Sequence, residues 1–132
     1  MDKIEEFKAK IEEYEDDLFG ATIFYEETKL MWPRSRLREV NFEEHYKSIM
    51  HRGKVIIGKA EKVLSEVITN GDVDKFKEIQ FPPLMPVWYP DSIPRFKLLV
   101  ETYNELFPGR DRTIALTKQE HKLIMNRVLD KF

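Results

Sequence analysis

Apolar side chains recur in steps of three and four along the first half of the chain. Ile4, Phe7, Ile11, Tyr14, Leu18, Ala21, Tyr25, Thr28 and Trp32 form one stripe, and Phe42, Tyr46, Ile49, Gly53, Ile56, Ala60, Val63 and Val67 form another. That spacing puts each set on one narrow face of a helix, ready to pack against a partner. A short polar stretch containing Pro33 separates them, so the pattern predicts an antiparallel helical hairpin over about 3–32 and 42–69. Placing Trp32 beside Phe42 sets Ala21 against Gly53, Tyr14 against Ala60 and Thr28 against Tyr46. Large residues then face small ones, which is how two helices fill space without voids. Glycine inside a helix costs about 1 kcal/mol against alanine, and close approach at Ala21 supplies a reason for Gly53. Both stripes stay in phase across Gly20 and Gly53, so each helix is read as continuous. The run Ile23, Phe24 and Tyr25 followed by Thr28 has strand character, but no other segment offers it a sheet partner, and helix is expected there as well.

Terminator and cap residues divide the rest. Trp32-Pro33 ends the first helix, because a residue before proline resists the helical region. Asn41 with Glu44 reads as a capping box for the second helix, and Asn70-Gly71 as its left-handed stop. Asp72 or Asp74 opens a short helix through Phe76 and Ile79. The segment 81–90 holds four prolines among apolar residues, which forbids helix and predicts an extended strap whose Trp88 and Tyr89 cover the core or greet a partner. Ser92 and Pro94 open a helix with the face Phe96, Leu99, Val100, Tyr103 and Phe107, ending at Pro108-Gly109. Thr117 and Glu120 form a second capping box before Ile124, Val128, Leu129 and Phe132. The expected fold is all-α, a single helical domain over 1–132: a long hairpin closed by the proline-rich strap and two shorter helices.

Composition narrows the classes. The chain has 132 residues, 42% hydrophobic and 35% charged, which suits one helix-rich core rather than a disordered segment. It has no cysteine, so disulfides and thiolate chemistry are excluded. The acidic, amphipathic start is unlike a signal peptide, and no apolar run approaches the roughly 20 residues of a membrane span, so a soluble, cytoplasmic protein is expected. The net charge of −2 is unevenly spread: residues 1–30 carry ten acidic against four basic side chains, and residues 31–69 carry eight basic against five acidic. An acidic first helix beside a basic second one accounts for this without a ligand.

Candidate chemistry is sparse. His45, His51 and His121 never stand one helical turn apart, so they form no metal motif and are read as surface or boundary residues. Glu12 with Glu15, and Glu13 with Asp16, are pairs at i, i+3, the arrangement with which helical nucleotide pyrophosphatases hold magnesium. Those enzymes need a second acidic pair on a neighbouring helix. Here the second helix offers only Glu43, Glu44, Glu61 and Glu66, no two at that spacing and only Glu61 near the level of Tyr14, so no metal and no cofactor is expected. Arg34, Arg36 and Arg38 alternate, and in an extended loop they would point to one side as a phosphate clamp, although a pI near 6.0 is low for a nucleic-acid binder.

The sequence therefore points to a non-catalytic regulatory or adaptor protein that binds another protein. Its candidate contacts are Glu12, Glu13 and Asp16 on the acidic face, with Trp88 and Tyr89 in the strap. A nucleic-acid-binding regulator using Arg34, Arg36 and Arg38 is the alternative, followed by a metal-dependent nucleotide hydrolase. A heptad stripe can also be shared between chains, which leaves a homodimer open.

Overall fold

Helix α1, Lys3–Met31, lies between the other long helices and touches all of them. A computed structural model describes residues 2–84 and 92–131, without the side chains of residues 92–95. Among the described residues every regular element is helical: α2 is Arg34–Glu39, α3 is Phe42–Asn70, α4 is Ser92–Leu106 and α5 is Lys118–Asp130, with a 3-10 turn at Val73–Glu78. No helix among them is long and apolar enough to cross a membrane.

The long hairpin forms as the stripes imply. Both helices run unbroken through their glycines, and the segment after Ala21 is helical to Met31. The register differs from the size-matched expectation. Gly53 faces the side chain of Leu18 rather than Ala21, with Leu18 Cδ1 only 2.7 Å from where a β-carbon would stand. Ala60 packs with Phe7 and Ile11 instead of Tyr14. The two helices are thus offset by about one turn, a slip that keeps the same faces together because side chains three or four apart share a face.

The stripe describes only one side of α1. Gly20, Ile23, Phe24 and Glu27 are buried too, so the second half of this helix is enclosed nearly all round. Its other side receives α4. At Gly20 an added β-carbon would lie 2.6 Å from the carbonyl oxygen of Phe96 and 2.9 Å from its Cα, so the two backbones meet here. The close approach that the sequence suggested at Ala21 therefore occurs one residue earlier, against a different helix. Phe96 packs on Phe24, while Tyr103 meets Phe19 edge to face at 4.7 Å.

Local chemistry sets most of the ends. Thr117 and Glu120 form the expected capping box, each closing the other's free amide. Gly71 and Gly109 adopt left-handed conformations at φ 75° and φ 74°, ending α3 and the turn after α4. Asn41 departs from expectation: it sits at φ 51° with no side-chain cap, because α2 forces a tight reversal before α3. The connector between α4 and α5 is pinned by Arg110, which grips Glu120, donates to the Ala115 carbonyl at 3.3 Å and lies over Phe107.

Residues 81–84 form no regular element and lie against the hairpin. Phe81 packs on Tyr14 at 5.2 Å, the Tyr14 hydroxyl donates to the Pro82 carbonyl at 2.8 Å, and Leu84 is buried. Trp88 and Tyr89, the residues on which the strap expectation rested, lie outside the described residues.

Candidate binding groove between α1 and α5

Helix α5 turns one continuous stripe toward the end of α1. Lys118, His121, Lys122, Met125 and Leu129 follow at helical spacing and face Glu27, Leu30 and Met31, enclosing a groove of about 340 Å³. Three of its apolar residues remain well exposed: Leu30 at 45%, Met31 at 62% and Leu129 at 60%. Lys118 and Lys122 stand one turn apart on the rim, and neither makes an ion pair with another described residue. From residue 118 to 129 the stripe extends roughly 17 Å, about three helical turns.

His121 forms the floor. Its side chain is 5% exposed, with Nε2 3.2 Å from a Glu26 oxygen and Nδ1 3.6 Å from a Glu27 oxygen. Burial by itself lowers the imidazole pKa, but the hydrogen bonds and charges of the two carboxylates outweigh it and raise the value to about 9. With both ring nitrogens facing carboxylates, the protonated ring donates from Nε2 to Glu26, while Nδ1 meets Glu27 as an ion pair at 3.6 Å, beyond hydrogen-bond distance. This ion triad fastens α5 to α1, and it leaves the ring without a free lone pair for proton abstraction at neutral pH. His121 is buried, not the surface or boundary residue expected: its partners lie 94 and 95 residues away in sequence, beyond the reach of any local motif.

The acidic residues of α1 are positioned by other basic groups than expected. Glu13 pairs with Lys97 at 3.2 Å, and Asp16 with Arg112 at 2.7 Å. These two carboxylates are thus offset by α4 and the connector after it. Glu12 is exposed. Glu15 meets Glu61 across the hairpin, and its carboxyl is held above the usual range by burial first and then by Glu61. Those two acids come together as the near-Tyr14 placement implied, but Glu13 and Asp16 turn to cations instead of joining them. Among the described residues no group of three or more histidine, aspartate or glutamate side chains is arranged to hold a metal ion.

The alternating arginines are not in an extended loop. They lie on α2, where Arg34 and Arg38 share one side and Arg36 points away, with its guanidinium 5.0 Å over the Trp32 ring. All three are exposed, but the one-sided clamp expected from alternation is lost because helical period replaces extended period.

Leu30, Met31 and Leu129 are the groove residues that sequence reasoning missed. The sequence did carry a signal: Leu30 and Met31 fall outside the first stripe, and an apolar pair off the packing face is a surface candidate. Compared with known protein families, with curated proteins and with solved structures, the chain matches none.

Proposed function

We propose that this chain is a non-catalytic adaptor or regulatory protein that binds an amphipathic helical segment of another protein in the α1/α5 groove. The observation that carries this reading is the cluster of Leu30, Met31 and Leu129, exposed together beside a preformed trough rather than scattered singly. A three-turn apolar trough suits a helix that lays residues at i, i+3/i+4 and i+7 into it. Methionines at such a surface adapt to a partner's shape, since the thioether side chain is flexible and polarizable. Lys118 and Lys122 on the rim select a segment with acidic flanks. The Glu26–His121–Glu27 triad gives the trough a rigid floor, so little ordering is required on binding. The acidic face at Glu12, Glu13 and Asp16 is weaker as a contact surface, because two of its three carboxylates are engaged within the fold.

Affinity capture from the source cell, read by native mass spectrometry with and without nuclease, tests this. A protein retained by the parent chain and lost with the Met31→Glu/Leu129→Glu double variant is the expected result. Truncating central apolar anchors in such grooves typically costs 2 kcal/mol or more, so the loss should be about thirtyfold or greater. An unchanged retention profile, or retention that disappears with nuclease, overturns the proposal.

A further inference from the structure

We propose a second, separate site: the hollow between α1 and α3 binds a small amphiphilic anion, its acidic head held by cations of α3 and its alkyl or aromatic body seated on an apolar floor. Helix α4 packs on α1 rather than on α3, so one flank of the hairpin is left as an open trough of about 600 Å³, the size of small-molecule sites. Leu18, Phe19, Met50 and Ile57 supply the floor. Lys47, His51 and Lys54 stand at i, i+4 and i+7 along the α3 wall, a row of about 10 Å. All three are exposed, and none forms an ion pair with another described residue.

Opposite them stands Arg112, which enters from the α4–α5 connector. It is held in place by Asp16 at 2.7 Å, by Asn104 at 3.3 Å and by its position 4.6 Å over the Phe19 ring. Cations thus border the floor from two elements, and a head group between them is met by charge on both sides. The site discriminates by size as well as charge. Glu15, itself beside Glu61, lines the same trough, and Asp16 offsets Arg112. A long polyanion laid along the trough runs past those carboxylates as well as the cations, which disfavours it.

Isothermal titration calorimetry on the intact chain, with decyl phosphate, decanoate and decanol below their micelle concentrations, tests the assignment. Both anions are expected to bind saturably with one equivalent, and decanol at least about tenfold more weakly. Lys47→Gln and Lys54→Gln should each weaken decyl phosphate about two- to fivefold, while Lys118→Gln/Lys122→Gln in the other groove should leave it unchanged. Because these lysines are exposed, the variants retain the fold, which near-UV circular dichroism verifies. Equal binding of decanol, no saturable binding of either anion, or indifference to Lys47 and Lys54 overturns the proposal. So does tighter binding of a short single-stranded oligonucleotide that depends on the same two lysines, which would make the trough a nucleic-acid surface.

Discussion

Alanine at Gly20, Gly53 and Gly58 should give three different outcomes, although all three glycines sit inside long helices. The shared term is helix propensity, which favours alanine by about 1 kcal/mol. Gly58 is exposed and an added β-carbon meets nothing within 4 Å, so Gly58→Ala should gain nearly the full amount, about 0.5–1 kcal/mol. At Gly20 the new carbon would stand 2.6 Å from the Phe96 carbonyl oxygen and 2.9 Å from both Phe96 Cα and Cβ. These are mostly backbone atoms in the middle of a helix and cannot rotate away, so α4 must shift outward by somewhat under an ångström along a packed interface. Overpacking of that kind costs about 1–3 kcal/mol, and a rigid obstacle puts it at the upper end, for a net loss of about 2 kcal/mol after the propensity gain. Gly53 falls between. Its nearest obstacle, Leu18 Cδ1 at 2.7 Å, is the tip of a flexible side chain, and Leu84 Cδ2 follows at 3.3 Å. Leu18 can turn aside at a cost of about 1 kcal/mol, which cancels the gain. A leucine at position 53 cannot be accommodated that way and should lose several kcal/mol. Urea denaturation followed by far-UV circular dichroism, with the slope held constant across variants, measures each difference. A Gly20→Ala variant as stable as the parent, or a Gly58→Ala variant less stable than it, would refute this packing.

The His121 triad makes stability depend on pH. The folded pKa of about 9 lies above the ordinary 6.5, so the contribution is complete below roughly pH 6.5 and is lost as pH rises through 9. It is on the order of 2–3 kcal/mol, and His121→Gln should flatten the pH–stability curve across that window; a curve of unchanged slope refutes the triad. Removing a capping hydroxyl with Thr117→Ala should cost about 1 kcal/mol by thermal melting, and a smaller effect than a neighbouring exposed Thr→Ala change would show the box to be idle. Tyr14→Phe deletes the bond to the Pro82 carbonyl and should cost about 1 kcal/mol, against no change if residues 81–84 do not dock on α1 in solution. Glu61→Gln relieves repulsion at Glu15 and should be neutral or stabilising by a few tenths of a kcal/mol, whereas Asp16→Asn removes the Arg112 pair and should cost up to about 1 kcal/mol in the same urea assay.

What the sequence by itself determined was whatever depends on neighbours a few residues apart. Helix period, the Thr117–Glu120 box and the left-handed stops at Gly71 and Gly109 all arise from backbone groups satisfied within one turn, so their signals are written locally. Helix α3, buried on a single face, was equally legible from its stripe. Tertiary structure decided the rest. Helix α1 is enclosed on both sides, so its Ile23-Phe24-Tyr25 run carried strand-like composition although the element is helical. The one-turn register offset could not be read because slipping by a turn keeps the same faces in contact, and only the summed packing of Leu18, Gly53, Ala60 and their neighbours distinguishes the two. Gly20 had no reason in its own segment, since Phe96 supplies it from 76 residues away. The candidate groove shares that character: Lys118, Lys122, Met125 and Leu129 are an ordinary amphipathic helix in sequence. They become a trough only because Glu26 and Glu27 trap His121 and hold α5 against the end of α1, leaving Leu30 and Met31 uncovered beside it. Pairing across such separations is set by which faces remain unburied after the first helices pack, and no local pattern records that.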